Sequence, residues 1–168
     1  AQVDHPLDHT IIGSTQDDAA GECFDKCAKL LGLGYPGGPI MDRLAAQGNP
    51  EAYTFARPML NQDNHDFSFS GLKTSVRYFL EKHPGLSEDD VALPDLCASI
   101  QAAIVEVLVK KTIRAARRQR LGCITLSGGV ACNTGLRKAF QQACEKYELN
   151  LQVAPSNLCT DNAAMVGL

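Results

Sequence analysis

Two adjacent glycines, Gly128 and Gly129, interrupt a regular pattern near the end of the sequence and limit what the chain can form. An apolar run at 123–126 stops at this pair, a helical pattern follows at 133–146, and a second apolar run lies at 151–154. Strand, turn, helix and strand in this order are typical of a parallel sheet with helices packed on it. The sequence therefore predicts an α/β protein.

The glycine pair itself has two interpretations. It provides a sharp turn, because glycine adopts positive φ angles at little cost. It also lets the backbone approach a ligand closely, and phosphate at a helix N-terminus is the usual case. Asn133 lies one turn further on, where its amide can reach a hydroxyl or phosphate oxygen. The spacing alone leaves both interpretations open.

Helical patterns dominate residues 1–120. The expected helices run from a cap at Ser14 or Thr15 to about residue 31, and over 40–47, 72–82 and 95–118. Asp17 is placed in the first turn of the first helix, where the helix dipole favours a carboxylate. The FSFS stretch at 67–70 alternates as a strand does. We therefore expect a helix-rich part over 1–120 and a β-α-β-α part over 121–168.

Composition and charge exclude several classes of protein. Apolar residues make up 45% of the chain, which predicts a globular fold, and the net charge of −3 gives no basic footprint for nucleic acid across the whole chain. No uninterrupted apolar run approaches the ~18–20 residues that span a bilayer, so no membrane partner is expected. The basic end of helix 95–118 has two interpretations: cations that suit a helix C-terminus, or a patch for an anionic partner.

Cysteine and histidine spacing gives no metal site. The seven cysteines are odd in number and include no C-x-x-C pair, which argues against a disulfide framework or a zinc ribbon. We interpret them as reduced thiols of a cytoplasmic protein. His5 and His9 would share a face only in a helix, and Pro6 between them argues against one.

Three further places combine glycine or acidic residues with turns. Asp25 belongs by spacing to a solvated helix face with i,i+4 ion pairs. Gly37 and Gly38 are explained by a plain turn between helices. Asp161 follows the strand at 151–154, where open α/β sheets place their ligands, although an isolated aspartate there is most often a helix cap. If Asp161 faces a phosphate, a cation must lie between them.

Four longer stretches resemble a known family. They are DDAAGECFDKCAKLLGLGYPGGP at 17–39, DFSFSGLKTS at 66–75, LSGGVACNTGLR at 126–137 and CTDNAAM at 159–165. Together they resemble the universal glycoprotease family, first named O-sialoglycoprotein endopeptidase, whose members make threonylcarbamoyladenosine in tRNA. The stretches occur in the family's order across nearly all of residues 11–168, so the resemblance is far more specific than one glycine pair.

The resemblance implies an actin/Hsp70-like fold, in which two RNase H-like α/β lobes hold an ATP-type ligand between them. Residues 1–120 would be a helical insertion, and 121–168 would belong to the C-terminal lobe, a mixed sheet with flanking helices. The family moves a threonylcarbamoyl group from its adenylate to the exocyclic amine of the adenosine next to the anticodon. The implied partners are tRNA, an inactive paralogue and a small ATPase, all in the cytoplasm.

The resemblance also assigns site residues. The positions that match nucleotide or substrate contacts are Asp25, Gly38, Asp42 and Asn133. Asp161 matches a ligand of the family's single divalent metal ion, which is iron or zinc. Gly128 and Gly129 would form a loop that faces phosphate.

This sequence also departs from the family pattern. The family begins with a strand-and-glycine phosphate loop, followed by a paired-histidine metal motif and an S-G-G-H-T loop, and the 168 residues contain none of these. The chain is therefore expected to be the C-terminal portion of a two-lobe protein and inactive by itself. The alternatives are a metal-dependent glycoprotein endopeptidase, a sugar or acetate kinase of the same superfamily, and a nucleotide-binding partner without catalysis.

Overall fold

Five helices and two small sheets form the described part of the chain, which is residues 1–5 and 8–159 of a computed structural model. The helices are α1 (Ala20–Leu30), α2 (Gly37–Ala45), α3 (Ser70–Lys82), α4 (Ala92–Arg118) and α5 (Thr134–Lys146). The strands are β1 (Gln2–His5), β2 (Asp8–Thr10), β3 (Cys123–Leu126) and β4 (Asn150–Val153). The mixed α/β composition expected from the sequence is confirmed.

The two sheets are each made of two strands. β1 and β2 pair antiparallel, so His5 and His9 lie on neighbouring strands and not on a helix. β3 and β4 pair parallel, with Ile124 opposite Leu151, and α5 connects them, as the strand–helix–strand pattern predicted. The apolar run of β3 suggested a buried strand, and this is wrong: only Ile124 is buried, and Cys123 and Thr125 are exposed on the other face.

Helix α1 begins later than its sequence predicts. The expected cap at Ser14 or Thr15 is wrong, because the helix starts at Ala20 and Thr15 forms an isolated parallel bridge with Phe67. The predicted end is confirmed. Gly32 has a φ of +74°, and the Leu33 amide donates to the Ala28 carbonyl at 2.9 Å, the Schellman geometry that ends a helix on glycine.

The FSFS stretch does not form the predicted strand. Phe67 makes only the bridge to Thr15, and Ser70 is already the first residue of α3. The cause is Asp17, which lies outside α1 and caps α3 instead. Its Oδ1 accepts from the Phe69 amide at 2.7 Å and from the Ser70 amide at 3.2 Å. A long-range cap therefore replaces the local helix that residues 14–19 favour.

Helix α4 passes through both apolar interiors of the protein. Its first half packs with α1, α2 and α3, and we call this cluster the helical core; its fully buried members include Leu96, Ile100 and Ile104. We call β3, α5 and β4 together the parallel unit. The second half of α4 packs against this unit in an apolar cluster that includes Ile113 and Phe140. The long helix thus fixes the parallel unit against the helical core.

Helix α4 is also long and apolar enough to cross a membrane, judged by length and composition alone. Its most apolar stretch has a mean hydropathy of 1.7, and 67% of that stretch is buried inside the protein. A core helix has the same properties, so α4 is weak evidence for a membrane span. The sequence expectation considered only uninterrupted apolar runs, whereas an average over the helix tolerates Gln101 and Glu106.

Candidate functional site

Asp25 joins α1 to the start of α2. Its Oδ1 accepts hydrogen bonds from the amides of Gly37 at 2.8 Å and Gly38 at 3.3 Å. The two glycines are therefore the first turn of α2 and not a plain turn between helices, as the spacing suggested. A carboxylate at a helix N-terminus is favoured by the helix dipole. Asp25 is thus a capping residue and not only part of a solvated face, and the cap uses its Oδ1.

Gly37 and Gly38 differ in whether a side chain would fit at their positions. A Cβ at Gly37 would lie 2.3 Å from the Cβ of Ala28, so only glycine allows α1 and α2 to approach this closely. A Cβ at Gly38 would lie 3.8 Å from the Cβ of Phe24, which is an ordinary contact. Packing therefore requires glycine at position 37 but not at position 38, the position that the family resemblance assigns to a ligand.

Asp42 and Asn133 meet at the start of α5. The carboxylate of Asp42 accepts from the backbone amide and from the hydroxyl of Thr134, both at 2.9 Å. Asn133 is the N-cap of α5, and its Oδ1 accepts from the Leu136 amide at 2.8 Å. The amides of Thr134 and Leu136 therefore already have side-chain acceptors within the protein. The glycine loop immediately before α5 is the neighbouring place where an anion could approach.

That loop is open on its outer side. Gly128 has a φ of +86°, a backbone conformation that favours glycine over other residues. Gly129 begins a short 3₁₀ turn, Gly129–Cys132. A Cβ built on either glycine would meet no atom within 4 Å among the described residues. Because neither packing nor a positive φ explains Gly129, the sharp turn accounts for one glycine of the pair and not for both.

Contacts between elements gather these predicted residues on one side of the protein. The side chain of Val130 in the glycine loop lies 3.3 Å from the position of a Cβ on Gly21, so the loop packs against α1. Asp42 links α2 to α5, and Asp25 links α1 to α2. The remaining predicted site residue, Asp161, lies outside the described residues, as does the helix expected after it.

Sequence reasoning missed a buried polar residue beneath the site. Gln101 of α4 is 8% exposed, and its Oε1 accepts from the side-chain amide of Asn133 at 2.6 Å. A Cβ on Gly135 would lie 2.5 Å from Nε2 of Gln101, so glycine at that position makes room for this contact. The only signal in the sequence was a polar residue inside an apolar stretch of helix.

The basic second half of α4 is partly explained by the loop that crosses it. Lys111 is 1% exposed, and its Nζ donates to the carbonyl of Met59 and to the side chain of Asn64, both at 2.9 Å. Burial lowers the pKa of the Lys111 ammonium, and the nearby Arg114 lowers it further. Arg114 donates to the carbonyls of Leu60 and Gln62. These two cations hold residues 59–64 in place.

We also searched the described residues for side chains that could hold a metal ion. No group of three or more histidine, cysteine or acidic side chains with metal-binding geometry occurs in residues 1–5 and 8–159. All seven cysteines are free thiols. A hydrogen bond with Cys27, together with burial, raises the pKa of Cys23 well above its ordinary value. The Cys23 thiol therefore stays protonated in the helical core.

The fold and the site define an α/β protein whose acidic and glycine residues gather at the starts of two helices. The sequence profile of the tRNA N6-adenosine threonylcarbamoyltransferase family matches residues 2–168, and the chain belongs to this family. The resemblance drawn from the four sequence stretches is confirmed.

Curated relatives agree with the profile. A tRNA N6-adenosine threonylcarbamoyltransferase from Syntrophotalea carbinolica is 53% identical over 160 residues, which cover 95% of this chain and 46% of that protein. Proteins of the same name from Trichlorobacter lovleyi and Thermosipho africanus are 53% and 48% identical, over 95% and 94% of this chain and 46% and 47% of their own lengths. The chain spans about half the length of the curated relatives it matches.

Proposed function

We propose that the intact protein containing this chain transfers a threonylcarbamoyl group from its adenylate to the exocyclic amine of an adenosine in tRNA. Family membership over residues 2–168 carries this proposal. The acceptor would be the adenosine next to the anticodon. The chain by itself covers only part of the family's length, so it is expected to be inactive in isolation.

The proposed architecture is the actin/Hsp70-like one, with two RNase H-like lobes. Residues 1–120 would form the helical insertion, and 121–168 would be part of the C-terminal lobe. The parallel pairing of β3 and β4 with α5 between them supports this assignment. Parallel sheets are usually covered on both faces, and the exposed face of β3 suits further elements of the intact protein.

The proposed ligand is threonylcarbamoyl-adenylate or another adenine nucleotide. The α2 amides orient Asp25 through one oxygen, and its other oxygen would accept from a ribose hydroxyl of the ligand. Gly38 would let the ligand pass close to α2, and Asp42 and Asn133 would contact it near the start of α5. Gly128 and Gly129 would face its phosphate, since the space beside both glycines is open.

Asn133 has the capacity for such a contact although it is buried. It uses one lone pair of Oδ1 for the helix cap and one N–H of Nδ2 for Gln101. A primary amide has two of each, so one acceptor and one donor site remain. The buried contact with Gln101 would fix the direction in which these remaining groups point.

A divalent metal ion, iron or zinc, is also part of the proposal, with Asp161 as the ligand that this chain contributes. Such an ion would neutralise phosphate charge beside the glycine loop. Cytoplasmic location, tRNA, an inactive paralogue and a small ATPase complete the proposed setting. The tRNA is supported by the name of the family and of its relatives.

The alternatives are less well supported. A glycoprotein endopeptidase would use a zinc-protease helix, and the sequence contains no H-E-x-x-H motif. A sugar or acetate kinase would need its own phosphate-donor loop. A nucleotide-binding partner without catalysis shares the fold and is separated from the transferase only by assay.

The proposal is tested by incubating the intact protein with threonylcarbamoyl-adenylate and a tRNA transcript, then digesting the tRNA and measuring threonylcarbamoyladenosine by mass spectrometry. Transfer is expected for the wild type. Asp25→Asn keeps an acceptor for the Gly37 and Gly38 amides but loses the negative charge, so it should retain its melting temperature and lose at least about tenfold in transfer. A hydrogen bond to a charged group is worth about 1.5–3 kcal/mol, and tenfold corresponds to about 1.4 kcal/mol. Wild-type protein that cleaves a sialoglycoprotein and modifies no tRNA would refute the proposal.

A further inference from the structure

A basic groove runs between the second half of α4 and the end of α5. It has a volume of about 670 Å³, and its polar lining consists of Lys110, Arg114, Arg117, Arg118, Lys146 and Tyr147. These five cations are drawn from 16 lysines and arginines in a chain of net charge −3, so the groove concentrates positive charge that the whole chain lacks. We call this feature the basic groove.

Acidic side chains of the protein neutralise only part of the positive charge of the basic groove. Lys110 pairs with Glu106, and Arg118 pairs with Asp63. Arg114 is bonded to neutral carbonyls and keeps its charge. Arg117 and Lys146 form no ion pair with any acidic group in the described part of the chain. Three positive charges therefore remain without an acidic partner.

The two cations without an acidic partner both lie close to the ring of Tyr147. The guanidinium carbon of Arg117 is 4.7 Å from the ring centroid, and Nζ of Lys146 is 5.5 Å from it. The Tyr147 side chain remains 38% exposed. An exposed aromatic ring flanked by cations is the arrangement with which proteins stack a base while holding its phosphate.

The helix dipole explains some of these positions but not their combination. Arg117, Arg118 and Lys146 lie in the last turns of their helices, where cations are favoured. Lys110 and Arg114 lie earlier in α4, and the dipole effect fades within the last turn. The dipole also gives no reason for α4 and α5 to direct their cations into one shared groove beside an exposed ring.

We propose that the basic groove binds the sugar–phosphate backbone of tRNA, with Tyr147 stacking on an exposed base. This inference rests on the proposed function, which requires an RNA substrate. RNA is favoured over an acidic protein surface because an acidic peptide supplies carboxylates but no base for Tyr147. The groove lies on the α4–α5 side and uses none of the residues assigned to the adenylate, so it would hold the body of the tRNA and not the reacting adenosine.

The test compares two double charge reversals in the intact protein. Arg117→Glu with Lys146→Glu changes the groove. Lys29→Glu with Lys82→Glu is the matched control, because these two lysines lie in the last turns of α1 and α3, as Arg117 and Lys146 lie in the last turns of α4 and α5, and neither forms an ion pair in the described part of the chain. Both variants change the net charge equally. Affinity for a substrate tRNA transcript is measured by fluorescence anisotropy at several salt concentrations.

We expect the groove variant to bind tRNA at least about tenfold more weakly at 0.15 M salt and to lower the slope of log affinity against log salt by roughly one unit for each lost phosphate contact. The control variant should bind like the wild type. Both should keep the wild-type melting temperature and the wild-type affinity for ATP, measured by calorimetry.

Equal tRNA affinities and salt slopes for the wild type and both variants would overturn the inference, and so would equal weakening by the control. Unchanged tRNA binding combined with lost assembly with an acidic protein partner would assign the groove to that protein instead. A wild type that binds no tRNA would refute the groove and the proposed function together. A wild type that modifies tRNA while the groove variant binds it normally would refute the groove alone.

Discussion

The helical core and the parallel unit differ in how completely they bury their apolar side chains. In the helical core, Leu96, Ile100 and Ile104 are completely buried, and α1, α2 and α3 surround them. In the parallel unit, each strand alternates between covered and exposed positions, and β3 buries Ile124 alone. The helical core therefore buries side chains completely, whereas the strands of the parallel unit are covered on one face, by α4 and α5.

The same difference separates the glycines of the two regions. In the helical core, Gly37 is required because α1 and α2 touch there. In the glycine loop before α5, no atom of the described residues fills the space beside Gly129, and its φ is not positive. Substitution of a glycine that packing requires should lower the stability of the protein. Substitution of a glycine that makes room for a ligand should weaken binding of that ligand.

The largest expected effect is a truncation in the helical core. Leu96→Ala should lower the free energy of unfolding by about 3–5 kcal/mol, because the removed side chain is fully buried and leaves a cavity. Leu151→Ala in β4 should cost only about 1–2 kcal/mol, since that side chain is already partly in water. Urea denaturation of the intact protein measures both. Equal losses would show that the two regions are not packed differently.

The next effect concerns the contact between α1 and α2. Gly37→Ala should cost about 1–3 kcal/mol of unfolding free energy, because the added methyl group would overlap the side chain of Ala28. The neighbouring variant Gly38→Ala is the control, since its methyl group has room, and we expect a change within about 1 kcal/mol. Thermal denaturation of the two variants side by side would contradict this account if Gly38→Ala were the more damaging.

A smaller effect is expected at the cap of α3. Burial alone would raise the pKa of Asp17, but hydrogen bonds from Ser68, Phe69 and Ser70 outweigh it and hold this pKa well below its usual value. A depressed carboxyl pKa stabilises the fold above the unfolded value of about 3.9, and this contribution disappears as the pH falls through the lower, folded value.

Asp17→Ala should therefore cost about 0.5–2 kcal/mol near neutral pH, the usual range for a lost helix cap. The difference from the wild type should be constant from pH 5 to pH 8 and should shrink below about pH 4, where the carboxyl groups begin to protonate. Denaturation midpoints across this pH range provide the measurement. A difference that grows as the pH falls would have the wrong sign for this cap.

The sequence predicted the elements whose causes are local. The α5 helix, the end of α1 at Gly32 and the connection between β3 and β4 follow from nearby residues, and all three are confirmed. Asp17 was assigned to the wrong helix because its partners are more than 50 residues away in sequence. Local propensity cannot show which distant amides a carboxylate will reach.

For the candidate site, the sequence named residues but did not show their contacts. The family resemblance named Asp25, Gly38, Asp42 and Asn133, but their hydrogen bonds to α2, α5 and α4 required the folded structure. Gly37 and Gly38 form a helix start because Asp25 caps them from α1. Gln101 was missed because a single polar residue in an apolar helix gives no information about its partner.

The central claim is that Gly129 serves a ligand and does not merely turn the chain, and Gly129→Ala in the intact protein tests it most directly. The variant should keep its melting temperature within about 2 °C, because the added methyl group meets no atom of the described residues. In a protein of this size a shift of about 2 °C corresponds to at most about 1 kcal/mol. Its affinity for an adenine nucleotide, measured by calorimetry, should fall at least about tenfold, or roughly 1.4 kcal/mol. A stable variant that binds the nucleotide as tightly as the wild type would contradict the account.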